Sequence, residues 1–118
     1  MKVKLVRTVK RRGDLTQEQF KEYWLTQHAK LEQQVVSSTP GREKIVVSFP
    51  LETIEGVEPP WDGMVEVYFE SMEAVRKPAS VDLRQRLLDD EANFIDLTES
   101  RIHVLTEEHL VASRLDGR

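Results

Sequence analysis

Residues 16–36 read TQEQFKEYWLTQHAKLEQQVV, and the spacing within this stretch decides the fold. Phe20, Trp24, His28, Leu31 and Val35 recur at steps of four, four, three and four, the spacing that puts side chains on one face of an α-helix. Thr16 stands just ahead of the run and Gln19 three residues later, the pattern of a capping box, so a helix is expected over about residues 17–36. Ser37, Ser38, Thr39, Pro40 and Gly41 then break it. His28 lies on the apolar stripe, so its imidazole is expected to turn inward. A buried histidine either satisfies a backbone carbonyl or, held in a water-poor cleft, serves as a general acid or base or a ligand contact.

Upstream, residues 2–10 alternate as a strand does, with Val3, Leu5 and Val9 on one side and Lys4, Val6, Thr8 and Lys10 on the other. Arg7 interrupts the apolar side and is expected to reach water by its stem. Downstream, residues 43–50 and 63–69 give a second and third strand. The acidic, proline-containing residues 52–60 between them read as a loop. Ser71 opens a short helix that Pro78 ends, Ser80 opens another through about Ile95, and a last strand is expected over residues 101–106. Of the consecutive acids Asp89, Asp90 and Glu91, at most two can face the core, and a solvated helix face is the plainer expectation. The order strand, helix, strand, strand, helix, strand is the split βαβ pattern of the ferredoxin-like α+β fold, a four-stranded antiparallel sheet with both helices on one face. Its other face carries apolar residues too, and pairing with a second copy would cover it.

At 118 residues the chain is expected to form one domain spanning residues 1–118. It has no cysteine, which excludes disulfides, thiolate metal sites and a cysteine nucleophile. A formal charge of −4 argues against a mainly electrostatic grip on nucleic acid. The local cluster of Lys2, Lys4, Arg7, Lys10, Arg11 and Arg12 is read as a solvated edge. No membrane partner is expected, since no apolar run approaches a membrane span. Without a basic-then-apolar leader pattern, a cytoplasmic location is expected.

The segments VKLVRTVKRRGDLTQEQFKEYWLTQHAKL, WDGMVEVYFESMEAV and DDEANFIDLTESRIHVL, from about Val3 to Thr106, resemble the EthD-domain family of the dimeric α+β barrel superfamily. The resemblance implies a homodimer whose paired sheets form the barrel, and it carries the family's inward histidine onto His28. It likewise implies functional positions at Asp62 and Gly63, and at Asp90, Glu91, Phe94 and Asp96.

No Gly-rich phosphate loop, nucleophile elbow or metal-ligand spacing is present, so neither a metal nor another cofactor is expected. Acid–base chemistry in an apolar pocket remains. On this reading His28 moves a proton on a small aromatic or lactone-like acid, in a decarboxylation, dehydration or double-bond migration, as a lyase or isomerase of a catabolic or polyketide-type pathway. Glu66 and Tyr68 join it in the catalytic set by orienting the substrate, and Tyr23, Trp24, Trp61, Asp62, Asp90 and Phe94 form the substrate contacts. Plainer readings stand beside these: Phe20, Trp24 and Phe94 as core, and Asp62 as a turn residue. Two other classes stay open, a cofactor-free monooxygenase and a non-catalytic protein that binds a small hydrophobic molecule. His103 and His109 carry less weight, the first as a cross-strand partner and the second in a polar tail.

Overall fold

In the computed structural model, which describes residues 2–115, β1 (Lys2–Arg11) is the strand around which the sheet is organised. On one edge it pairs antiparallel with β3 (Gly63–Phe69), from Val3 opposite Phe69 to Val9 opposite Gly63. β2 (Arg42–Ser48) adds to the far side of β3. The other edge of β1 is shared by two short strands, β4 (Ile95–Asp96) beside Lys10 and Arg11 and β5 (Val104–Glu108) beside residues 2–6. The resulting order is β2-β3-β1 with β4 and β5 in the fourth position, the ferredoxin-like arrangement expected from the order of elements.

The expected first helix is α1 (Gln17–Tyr23) and α2 (Ala29–Ser38), joined without interruption through a π-helical turn at Trp24–His28. Thr16 caps it with the reciprocal bonds to Gln19, and it runs two residues past Val36, to Ser38. Ser71 caps α3 (Met72–Val75), and Ser80 caps α4 (Val81–Glu91). α4 stops short of Ile95 because the Phe94 carbonyl accepts the Arg12 N–H at 2.8 Å and Ile95 turns away to pair with Arg11. The last strand begins three residues later than expected. Asp96 caps a 3-10 turn over Leu97–Glu99, and the Ser100 hydroxyl takes the Lys10 N–H at 2.9 Å, so a side chain occupies the edge of β1 there.

The helices cover one face of the sheet. Val9 and Val65 meet Phe20, Trp24, Phe94 and Ile95 in the main core, and Leu31 and Val35 of α2 meet Leu83 and Leu87 of α4 beside it. Gly63 marks a close contact between layers. A Cβ there would stand 2.9 Å from Trp24 Cζ3 and 3.2 Å from Phe20 Cε2, so only glycine lets both rings lie on the strand. Arg7 does not reach out to water. It is 7% exposed and bridges Glu91 at 3.0 Å while its Nε donates to the Ser100 carbonyl at 2.9 Å, a buried cation with an anionic partner. On the uncovered face, Lys4 bridges Glu66 at 2.6 Å and Glu108 at 3.0 Å, and those two carboxylates hold its ammonium pKa well above the usual lysine value.

Candidate active site

The π turn sets the position of the histidine. Within it the Ala29 N–H bonds the Trp24 carbonyl five residues back, and the Thr26 hydroxyl donates to the Glu22 carbonyl at 2.7 Å. Such turns hold one residue more than α-helical geometry allows and often occur at functional sites. Here the result is that both Trp24 and His28 are buried against the sheet, 2% and 4% exposed. The His28 ring lies 4.9 Å from Phe94 and stands edge-on to Trp24 at 6.2 Å, centroid to centroid.

His28 Nδ1 lies 2.8 Å from Asp90 Oδ2 on the last turn of α4. The other carboxylate oxygen accepts the Tyr23 hydroxyl at 2.5 Å and the Asn93 amide at 3.2 Å. Burial opposes ionisation of Asp90, but the bonds from Tyr23, His28 and Asn93 outweigh it and hold the carboxyl below its usual pKa. Tyr23 is pushed the other way, by burial and by the adjacent Asp90 charge. An ionised carboxylate only accepts, so Nδ1 carries the hydrogen of this bond. Nε2 makes no hydrogen bond to any described residue, yet no fully buried side-chain nitrogen or oxygen lacks a partner there, so Nε2 is open to solvent-sized space.

That space is a cavity of about 160 Å³ between the helices and the sheet. Leu5, Val65 and Val67 supply apolar wall; the Arg7–Glu91 ion pair and the titratable side chains of Glu32 and His103 complete the lining. Glu32, one helical turn past His28, accepts the Trp24 indole N–H at 2.8 Å, and burial raises its pKa despite the opposing effects of His28 and Trp24. His103 is solvent-exposed at the mouth, where partial desolvation and the positive Arg7 lower its pKa.

Of the residues singled out in the sequence, Tyr23, Trp24, Asp90 and Phe94 gather around His28. Glu66 and Tyr68 do not. They alternate along β3 with Val65 and Val67, which line the cavity, and so stand on the opposite face of the sheet beside Lys4 and Glu108. Asp62 fastens the end of β1, accepting the Arg11 N–H at 2.8 Å and donating its own N–H to the Val9 carbonyl at 2.8 Å. Trp61 lines a separate surface cleft with Pro50, Leu51 and Glu58. Arg7, Glu32 and His103 belong to the cavity but were not among the expected site residues. Glu32 had a signal, its four-residue step from His28; Arg7 had one as a cation on an apolar strand face; His103 had none beyond its residue type.

A ferredoxin-like sheet with a helix-borne histidine held over it by a carboxylate defines the class of α+β protein to which this chain is to be compared. The chain belongs to the EthD family: the EthD domain model matches residues 12–98. Among solved structures it is similar to an ethyl tert-butyl ether D (EthD) family protein from Bacillus halodurans, with 22% identity, TM-score 0.69, 92% of this chain covered and 100% of that one. An EthD-like protein from Ralstonia eutropha has 15% identity and TM-score 0.65, covering 95% of this chain and 96% of that one. A dimeric protein of unknown function and ferredoxin-like fold from Bacteroides fragilis has 15% identity and TM-score 0.57, with 89% and 92% covered. At these identities the likeness is one of fold. No curated protein matches the chain in sequence. Among the described residues no helix is long and apolar enough to cross a membrane, and no three His, Asp or Glu side chains are grouped to hold a metal ion.

Proposed function

We propose that this EthD-family chain is a lyase or isomerase that moves a proton on a small aromatic or lactone-like acid, with His28 Nε2 as the atom that takes and returns it. One observation carries the reading: the 2.8 Å bond that Nδ1 donates to Asp90 leaves Nε2 without a partner among the described residues, on a side chain that lines a mostly apolar cavity. In a double-bond migration Nε2 removes a proton from carbon, Asp90 stabilises the imidazolium that forms, and the same proton returns at a second carbon. In a decarboxylation Nε2 takes the proton of the substrate's carboxyl group, the carbon–carbon bond breaks to release carbon dioxide, and the imidazolium returns that proton to the carbon left behind. Tyr23 and Asn93 keep Asp90 in place, acting as positioning residues. A positioned acid–base group contributes about 10²–10⁴-fold in rate.

The uncovered sheet face, with Val6, Val46 and Tyr68 among its charges, supports a two-fold dimer joined sheet to sheet, in line with the dimeric Bacteroides structure. The test of the activity is a panel of small aromatic acids and lactones incubated with wild type and His28→Gln, with products read by mass spectrometry and oxygen followed by electrode. Turnover by wild type that falls about 10²–10⁴-fold in the variant is expected. An undiminished variant sinks the histidine mechanism, oxygen uptake matching product points to a monooxygenase, and binding without change of any compound leaves a carrier.

A further inference from the structure

Beside the His28 cavity runs a second, larger space of about 480 Å³, a groove between the helix and β2. Leu25, Ala29 and Val36 line one side, Ile45 and Val47 the other, and the polar ends of Gln33, Glu43 and Lys44 lie along its rim. The groove and the cavity are not independent, because Trp24, Glu32 and Ile45 wall both. The partition is thus one indole ring, one isoleucine and the 2.8 Å bond from Trp24 Nε1 to Glu32.

The two volumes differ in what they can hold. An apolar cavity of about 150 Å³ takes a molecule the size of benzene, so the inner space of about 160 Å³ fits one ring and little else. Binding clefts for larger molecules run from about 300 to 1,000 Å³, and the groove falls inside that range. Its apolar wall is unfinished as it stands: Leu25 remains 53% exposed at the groove although it sits in the same helical turn as buried Trp24 and His28.

Resting on the reading of His28 given above, we propose that the site is two-chambered and that its substrates are single-ring acids carrying an apolar arm of several carbons. The ring lies in the inner cavity against His28, and the arm displaces the Trp24–Glu32 contact that parts the two spaces to lie along Leu25, Ala29 and Val47. Lengthening the arm buries apolar surface in the groove and leaves the ring's contacts unchanged, so affinity is the quantity that reports it.

The probes are benzoate and its 4-ethyl, 4-butyl and 4-hexyl derivatives, titrated into the full chain and followed by NMR at the His28 ring, the Trp24 indole N–H and the Leu25 and Val47 amides. Expected are His28 shifts with every member, Leu25 and Val47 shifts only with the longer ones, and affinity rising up to about fourfold per added methylene. Ala29→Phe, which fills the groove, is expected to flatten the ratio between the hexyl and ethyl members. Leu25→Asp, at an exposed position that does not threaten folding, is expected to do the same. Affinity independent of arm length, long members that shift the groove without His28, or no binding by any member overturns the two-chambered site. A length-dependent series that shifts His28 but is never turned over leaves that site standing and removes the catalytic reading; turnover of short members with no length dependence does the reverse.

Discussion

The carboxylate of Asp90 takes side-chain bonds from Tyr23, His28 and Asn93, and this is why its ionised form is favoured in the folded protein in spite of burial. Its folded pKa lies below the ordinary 3.8, so the stability it contributes is present above that value and is lost as pH falls through the lowered one. Asp90→Asn is expected to remove part of the acid-side fall in melting temperature. In an assay with a turned-over substrate it is expected to cost about 10²–10⁴-fold, since an amide favours the wrong imidazole tautomer. Glu32 has the opposite sign. Burial raises its folded pKa, so its contribution is present below the ordinary 4.5 and lost as pH rises through the raised value. Glu32→Gln keeps an acceptor for the Trp24 indole and is expected to raise the melting temperature at pH 7 but not at pH 4. His28 was legible from spacing alone. Asp90 was suggested as a contact by the family resemblance, but its pairing with His28 was not, because 62 residues separate the two and three consecutive acids point in three directions.

The elements were legible where a periodic pattern ended at a strong stop. β3 spans Gly63–Phe69 as its alternation implies, and the Thr16 capping box and the two serine caps start the helices where expected. The π turn was not legible, since steps of four fit a slightly unwound helix as well as a regular one. It can be tested by deletion. Removing exposed Thr26 takes out the surplus residue and leaves seven α-helical steps from Phe20 to the histidine, which returns it to within about 20° of the same face; retention of the His28–Asp90 bond, seen in the His28 ring signals, is expected with helix content kept. The late start of the last strand had no sequence signal either, because the Ser100 hydroxyl that fills the edge of β1 arrives from a loop. At the strand–helix contact, Gly63→Ala is expected to cost about 1–3 kcal/mol in chemical denaturation, as Trp24 and Phe20 must yield to the new methyl.

At the scale of the molecule, the fold followed from element order, while the side of the sheet on which each strand residue works did not. Alternation separates Glu66 and Tyr68 from Val65 and Val67 but does not say which set meets the helices. If the bare face joins two copies, Val6→Glu is expected to shift sedimentation from dimer to monomer, placing an extra carboxylate directly opposite Glu66. The arrangement also has a bearing on how two such sites behave together. Each cavity lies on the helical side of its own sheet, so in a sheet-to-sheet pair both sheets, stacked about 10 Å apart, stand between the two histidines. Neither pocket shares a wall with the other: the same strands carry both faces, but Leu5, Val65 and Val67, which line the cavity, alternate with the side chains that would meet at the centre. Filling one leaves its counterpart untouched: saturation should follow a plain hyperbola with a Hill coefficient of about 1.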